Sequence, residues 1–161
     1  MPGYYDIAQI CMNGHLINGS FQKRPQNNKD YCPSCGEKTV TKCSSCNNNI
    51  EGVYWKQDYL EGDHPMSSCA LPSYCHKCGK PFPWTENKIL TAIQIFSEFG
   101  NLDEDEKKTI ENDIKNIARD IPQSELSAMR IKAIWKKYGK IAYNIVMEFA
   151  SKTAAEILKN P

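Results

Sequence analysis

Four closely spaced pairs of metal-ligating residues occupy the first half of this 161-residue chain. Three pairs have the spacing Cys-x-x-Cys, and the other is a cysteine followed four positions later by a histidine. Two donors at such a spacing can face a single ion across a tight turn, so the pairs predict two structural Zn²⁺ sites of four ligands each. The predicted ligands are Cys11, His15, Cys32, Cys35, Cys43, Cys46, Cys75 and Cys78.

Glycines support these turns. Gly36 and Gly79 each follow a Cys-x-x-Cys pair, where glycine relaxes the backbone and lets its N–H approach a thiolate. In the first pair Gly14 takes the place of a second cysteine, and His15 follows it, where the longer imidazole can reach the same ion. The alternative is an exposed His15 and a buried thiol at Cys11, but it leaves one pair without a full set of four ligands.

The order in which the pairs share an ion is less constrained. Sequential pairing, first with second and third with fourth, gives a tandem zinc ribbon and is favoured because neighbouring hairpins have a low loop-closure cost. A crossed arrangement, in which the first and third pairs share an ion, would resemble a RING-type domain. A third grouping would place the second and third pairs around one ion.

The distribution of cysteines indicates the compartment. All eight lie between positions 11 and 78, and clustered pairs in a reducing compartment are more often metal ligands than disulfides. We recognise no secretory signal and no run of about 20 apolar residues. We therefore expect a cytoplasmic protein that does not associate with membranes.

Net charge limits the partners. The formal charge of the chain is +1 at pH 7. When seven thiolates bind two Zn²⁺ ions, the charge of residues 1–84 changes from +1 to −2. A protein with this balance has no general attraction to phosphate backbones.

The sequence changes character near Pro83, which predicts two domains and an α+β fold class. Residues 1–84 are predicted to form the tandem zinc ribbon, and residues 85–161 a helical bundle. Aromatic and β-branched runs predict short strands, whereas stretches rich in polar residues, glycine or proline predict loops. The predicted strands cover residues 4–10, 16–21, 38–41 and 50–55, and the predicted loops cover residues 22–30 and 56–74.

Apolar residues in the second domain recur at three- and four-residue intervals, which is the spacing of one helix face. This pattern predicts four helices with short connections, and hence a compact bundle. The first helix starts after Thr85 and stops at Gly100. The second begins at Asp103 and Glu106, which have the spacing of a capping box.

The third and fourth helices are predicted from the same pattern. Ser124 is expected to cap the third helix, with Leu126 and Met129 facing inward. This helix is expected to end near Gly139, and the fourth covers residues 140–158.

Several segments resemble a known family: residues 3–11 (Gly-Tyr-Tyr-Asp-Ile-Ala-Gln-Ile-Cys), the Asn13-Gly14-His15 turn, and residues 74–85 (Tyr-Cys-His-Lys-Cys-Gly-Lys-Pro-Phe-Pro-Trp-Thr). They are similar to a bacterial family of short zinc-ribbon proteins catalogued as domain of unknown function 2321. The similarity extends through Ile121-Pro122 and the ending at residues 154–158. The resemblance implies a bacterial cytosolic protein with paired zinc turns, and it implies no activity.

We interpret the chain as a non-catalytic adaptor or regulatory protein that binds another protein. Cys-rich sites with four protein ligands leave no coordination position for water, so the zinc is expected to be structural. The ribbon loops would contact the partner, and the helices would dock against them or make an oligomer contact.

The alternative function is nucleic-acid binding, since zinc ribbons often place aromatic and basic loops on single strands. Simpler explanations exist for both groups of candidate residues. The aromatic residues can pack within their own hairpin, and the basic residues can lie on a solvated helix face. The candidates are an aromatic group in the ribbon and a basic group further on: Tyr54, Trp55, Lys56 and Tyr59, and Arg130, Lys132, Lys136, Lys137 and Lys140.

A third hypothesis is an enzyme that uses Cys69 or His64. Cys69 is the one cysteine outside the pairs, and His64 follows Asp63 in a segment rich in glycine and proline. A lone cysteine is more often a spare or buried thiol, and the sequence contains no recognisable set of nucleophile, base and orienting residue. His76 lies inside a zinc turn and is expected to point away from the ion.

Overall fold

The computed structural model describes residues 3–58, 62–99, 102–135, 143–144 and 146–159. The chain divides into two compact units, Met1–Thr85 and Glu86–Pro161, and each has a buried core. Short strands form the first unit and helices the second, which confirms the α+β class. No helix in the described ranges is long and apolar enough to cross a bilayer.

Short antiparallel strands form two sheets in the first unit. One sheet has the strand order β1–β5–β6 and the other has the order β3–β2–β4. The strands are β1 Gly3–Ile7, β2 Gln9–Cys11, β3 Leu16–Asn18, β4 Thr39–Val40, β5 Glu51–Lys56 and β6 His64–Pro65.

The run of residues 4–10, predicted as one strand, is two strands that belong to different sheets. Strand β1 pairs with β5, whereas β2 pairs with β3 and β4. Ala8 joins them, is fully buried, and donates its N–H to the Ile50 carbonyl at 2.8 Å. Gly52 lies against this junction, where a Cβ would come within 2.2 Å of the Gly19 carbonyl oxygen. The sheets therefore meet through a backbone contact that leaves no space for a side chain at position 52.

The segment 56–74, predicted to be a loop, contains strand β6. Its two residues pair with the end of β5, with Pro65 opposite Trp55 and His64 opposite Lys56. A proline is tolerated here because β6 is an edge strand. So short a strand has no alternating pattern from which the sequence could have predicted it.

The core of the first unit is small and is continuous with a predicted zinc site. Its apolar residues are Ala8, Ile10, Ile50, Phe82 and Trp84, and the ligand cysteines 43 and 75 complete it. The rings of Phe82 and Trp84 stack with their centroids 4.7 Å apart, and the Trp84 indole donates to the Pro72 carbonyl at 2.8 Å. Two metal ligands are therefore part of this core, at positions that aliphatic side chains occupy in larger cores.

The described helices of the second half are α1 Pro83–Phe99, α2 Glu104–Ile117, α3 Gln123–Trp135 and α4 Lys152–Lys159; residues 143, 144, 146 and 147 are also helical. Helix α1 begins three residues earlier than predicted, because proline favours the first helical turn, where its missing N–H is not needed. The capping box of α2 is confirmed: the Asp103 side chain accepts the Glu106 N–H at 2.8 Å, and the Glu106 carboxylate accepts the Asp103 N–H at 3.1 Å.

The buried face of α3 differs from the prediction. Leu126 and Met129 are 52% and 56% exposed. The buried residues are smaller on average: Ser124, Ser127, Ala128 and Ile131. Polar contacts to α2 decide the orientation, because the Ser127 hydroxyl donates to Asp113 Oδ1 at 2.8 Å. Asp113 is 1% exposed, and its Oδ2 accepts no hydrogen bond from the described residues.

Ser124 lies inside α3 and does not cap it. Its hydroxyl turns back toward the preceding helix, where it lies 2.8 Å from the Asn116 carbonyl oxygen and also within hydrogen-bond distance of the Arg119 carbonyl, so its single proton is available to either acceptor. The last carbonyls of a helix have no partner within that helix. Ser124 therefore supplies a hydrogen-bond donor to carbonyls at the end of α2.

The fourth helix, predicted over residues 140–158, is interrupted. Residues 140–142 and 145 lie outside the described residues, and the helical residues 146–147 are followed by a turn before α4 begins. Ser151 causes the new start: its N–H donates to the Ile117 carbonyl at 2.8 Å, and its hydroxyl accepts the Ala154 N–H at 3.4 Å. Capping by serine competes with continuation of a helix. The predicted end of the third helix near Gly139 also lies outside the described residues.

We expect Asp103→Ala to lower the local stability of α2 by about 1 kcal/mol, because two N–H groups at its start lose their acceptor. Native-state hydrogen exchange should show about fivefold less protection of the amides from Ile110 to Ile117. Asp105→Ala is the matched control, since it removes an exposed acidic side chain from the same turn and leaves the capping box intact. Equal loss of protection in both variants would contradict the assignment of the cap.

Candidate metal centres

The four ligand pairs lie on closely similar turns. In the three Cys-x-x-Cys turns, the N–H of the residue four positions after the first cysteine donates to the carbonyl of that cysteine at 2.8–2.9 Å. In the first turn the donor is Gly14, three positions after Cys11, and its N–H donates to the Cys11 carbonyl at 2.8 Å. In each turn the donor residue has a positive φ, which glycine adopts without strain and asparagine adopts more easily than most residues. The four residues and their φ values are Gly14 at 86°, Gly36 at 75°, Asn47 at 62° and Gly79 at 71°. Asn47 thus plays the role of the glycine that the third pair lacks.

The turns bring the eight predicted ligands together in two groups of four. The first group is Cys11, His15, Cys32 and Cys35, and the second is Cys43, Cys46, Cys75 and Cys78. Within each group the ligand atoms all lie within 4.8 Å of one another. The grouping is sequential, so the crossed arrangement and the grouping of the second pair with the third are both wrong.

Distances between donors match the edges of a zinc tetrahedron. Bond lengths of about 2.3 Å to sulfur and 2.0–2.1 Å to nitrogen give edges of about 3.8 Å between two sulfurs and about 3.5 Å between sulfur and nitrogen. In the first group Cys11 Sγ is 3.8 Å from Cys35 Sγ, and His15 Nδ1 is 3.4 and 3.5 Å from the sulfurs of Cys11 and Cys32. In the second group the sulfurs of Cys43 and Cys78 are 3.8 Å apart. The donor sets therefore fit two structural Zn²⁺ ions.

A family comparison agrees with this geometry. A family model described as "Uncharacterized protein conserved in bacteria (DUF2321)" matches residues 4–160. The chain belongs to this family. No curated protein and no solved structure matches the chain. Family membership therefore extends over the ribbon and the helices, and it carries no assigned activity.

Hydrogen bonds to sulfur prepare one thiol in each group for ionisation. Burial opposes ionisation of Cys32, but the N–H groups of Ser34 and Cys35 outweigh it and lower the pKa of Cys32 to about 6. Burial likewise opposes ionisation of Cys43, and the N–H groups of Ser45 and Cys46 lower its pKa to about 7. Each group can therefore offer its first thiolate to a metal ion near neutral pH.

The remaining thiols show why a cation is needed. The Asn48 N–H favours the thiolate of Cys46, but burial and the neighbouring cysteine sulfurs outweigh it and raise its pKa to about 12. Burial also raises the pKa of Cys11. Adjacent thiolates repel one another, so four of them coexist only when a positive ion lies between them.

Second-sphere donors and burial complete the sites. In the first site the Asn13 amide donates to Cys35 Sγ at 3.5 Å and the His15 N–H donates to Cys11 Sγ at 3.3 Å. Each ligand pair has one buried and one exposed member. The sites therefore lie at the surface of the unit, yet all four coordination positions are taken by protein donors, as in structural zinc sites.

The structure places Cys69 in a setting that does not activate its thiol. Cys69 is half-buried against the core of the first unit, and burial raises the pKa of its thiol. An activated cysteine has the opposite shift. His64 is an exposed residue of the edge strand β6.

Some candidate residues for nucleic-acid binding are described by the structure, and others lie outside the described residues. Trp55 is 6% exposed, and Lys23 and Arg24 lie over its ring at 5.9 and 5.6 Å. Its ring is therefore covered and offers no free face to a base. Lys136 and Lys137 lie outside the described residues, as do Tyr59 and Lys140.

No sequence motif marks a cleft that lies beside the second zinc site. This cleft has a volume of about 340 Å³ and lies between the start of β5, the loop after β6 and the last cysteine turn. We call it the knuckle cleft, and its main walls are Tyr5, Ile50, Glu51, Tyr74, His76 and Phe82. His76 is not among the four donors of the second group. Its ring nitrogens lie 3.1 Å from the Asn48 amide and 3.7 Å from Glu51 Oε1.

Two glycine substitutions should separate backbone strain from steric overlap. Gly36→Ala should weaken zinc binding by about 1 kcal/mol, because alanine is strained at positive φ while its Cβ meets nothing within 4 Å. Gly14→Ala should cost clearly more, because its Cβ would also lie 2.9 Å from Trp84 Cβ. Competition with a chromophoric chelator measures both. Equal losses would show that Trp84 does not pack against the first turn.

Zinc content should depend on the ligands and not on the spare thiol. We expect about two zinc ions per chain by elemental analysis, about one in Cys75→Ser, and an unchanged content in the matched control Cys69→Ser.

A strong chelator should unfold the first unit, whereas circular dichroism should retain much of the helical signal because the helices have a separate core. Iron in place of zinc, or one ion in the unaltered chain, would contradict the assignment.

Proposed function

We propose that this protein is a non-catalytic adaptor or regulatory protein of the bacterial cytoplasm, which binds a protein partner through its zinc ribbons. The observation that carries the proposal is the closed ligand set of both metal sites. Each site has four protein donors at tetrahedral spacing, and a catalytic zinc needs a position for water or substrate. The ions thus hold loops in place, and the loops are what a partner can contact.

Exposed apolar side chains on the ribbon unit support a protein partner. Large apolar or aromatic residues there are 42–65% exposed: Tyr5, Leu16, Tyr31, Met66 and Leu71. Aromatic residues and methionine are enriched at protein interfaces. These exposed side chains do not add to the small core of the unit. Contact with a partner accounts for their exposure.

The helical unit contributes to the proposal through α3. Leu126 and Met129 lie one turn apart on its exposed side. Apolar neighbours at this spacing form a continuous patch on a helix. We assign this patch to an oligomer contact.

Recovery of partners from native cells tests the adaptor function. Tagged chain should recover a defined protein in constant ratio, and the same protein should be recovered by Cys69→Ser and His64→Ala. Cys75→Ser should lose it together with one zinc ion, because the loops around the second site are no longer held. The interaction should then be reconstituted from purified components and persist after nuclease treatment.

Three results would overturn this function. Loss of the recovered material on nuclease treatment would favour the nucleic-acid alternative. So would salt-sensitive binding to random DNA or RNA that disappears in Lys136→Glu/Lys137→Glu. A cellular phenotype abolished by Cys69→Ser with zinc content intact would instead make the loop that carries Cys69 an active site.

A further inference from the structure

The knuckle cleft has an apolar floor and aromatic walls. Ile50 and Phe82 are 1% and 3% exposed and close its base. Tyr5 is 55% exposed at the rim, and its ring is held by an edge contact with Tyr54 at a centroid distance of 4.9 Å. A ring held in this way loses little conformational entropy when a ligand packs on it.

The described lining residues of the knuckle cleft carry negative charge and no lysine or arginine charge. Glu51 is its one carboxylate, and no lysine or arginine is among the described lining residues. The nearest basic group is His76, whose Nδ1 lies 3.7 Å from Glu51 Oε1; the two form an ion pair when the imidazole is protonated, but the distance is too long for a hydrogen bond. No described residue donates a hydrogen bond to the Glu51 carboxylate, so both of its oxygens can accept bonds from a ligand.

The neighbouring metal site adds to the negative charge. Cys43 and Cys75 share a core cluster with the floor residues Ile50 and Phe82. Four thiolates and one Zn²⁺ leave two net negative charges at that site. The lysines of that site's turns, Lys42, Lys77 and Lys80, offset part of this charge but do not line the cleft, where Glu51 is the charged group that a ligand meets. A cationic group is therefore favoured in the knuckle cleft and an anionic one is disfavoured.

We propose that the knuckle cleft binds the side chain of an arginine in an exposed segment of the protein partner. This inference rests on the adaptor function and names the chemistry that its partner presents. The aliphatic stem would pack on Ile50 and Phe82, and the planar guanidinium would stack on tyrosine and donate to Glu51. Arginine fits better than lysine because a planar donor group can pair with both carboxylate oxygens while stacked on a ring.

A second groove in the same unit serves as an internal control. It has a volume of about 570 Å³ and lies beside β4. Its charged residues are Asp30, Lys38 and Lys42, so its balance is positive where that of the knuckle cleft is negative. An arginine peptide should leave this groove unaffected.

A pair of peptides tests the proposal on the zinc-loaded full chain. The probes are Ac-Ala-Ala-Arg-Ala-Ala-NH₂ and the same peptide with citrulline, which has nearly the shape of arginine without its charge. In ¹H–¹⁵N NMR titrations the arginine peptide should shift the amide signals of residues 5, 50–52, 74 and 82. The citrulline peptide should bind at least about tenfold more weakly, since charge-assisted hydrogen bonds are lost.

Protein variants locate the effect. Glu51→Gln should weaken binding of the arginine peptide by about tenfold and remove the preference over citrulline. The matched control is Glu37→Gln, an exposed glutamate outside the cleft, which should bind like the unaltered chain. Zinc content and the spread of amide signals should be unchanged in both variants, which establishes that they are folded.

Four results would overturn the arginine site. They are equal binding of both peptides, shifts centred on the groove beside β4, normal binding by Glu51→Gln, or no shifts at millimolar peptide. The adaptor function is judged separately by recovery of the partner. A partner recovered in a zinc-dependent way while the peptides fail would retain the adaptor and remove only the knuckle cleft as its binding site.

Discussion

Attraction between cysteine thiolates and a divalent cation is the interaction on which the ribbon unit depends. The apolar core of that unit has only a few residues, and two ligand cysteines belong to it. Its strands are two to six residues long, too short to be stable by themselves in water. The eight donors bring four turns together, and the thiolates of one group repel each other without a positive ion between them. Metal binding and folding of this unit are therefore one process.

Features that depend on neighbouring residues could be predicted from the sequence. The ligand turns follow from cysteine spacing, and the start of α2 follows from Asp103 and Glu106. The apolar face of the same helix follows from the recurrence of Ile110, Ile114 and Ile117. In each case, residues at most four positions apart determine the geometry, so one sequence without relatives contains the information. The loop-closure cost favours sequential pairing of the ligand pairs, and the structure has this pairing.

Features that depend on distant residues could not be predicted in this way. The pairing of β1 with β5 joins residues about fifty positions apart, and neither strand specifies the other. The orientation of α3 depends on Ser127 and Asp113, whose polar contact outweighs the burial that Leu126 and Met129 would have gained. The break before α4 depends on a bond from Ser151 to a carbonyl in α2. The knuckle cleft combines residues from strands, a loop and a cysteine turn, so no contiguous motif marks it.

The passage of the chain between the two sheets at Ala8 links the two metal ions. Strand β2 ends at a ligand of the first site, and β1, one residue before it, pairs with β5, which lies between the two ligand pairs of the second site. An ion that orders either site therefore also fixes strands that the other site needs. Ordering the paired strands costs conformational entropy, and this cost falls on the binding of the first ion. The ion that binds second therefore meets ligands that are already partly ordered. Each site therefore helps to order strands that the other needs, and a fragment of residues 41–85, which contains only the second site, lacks strand β1 of the sheet β1–β5–β6.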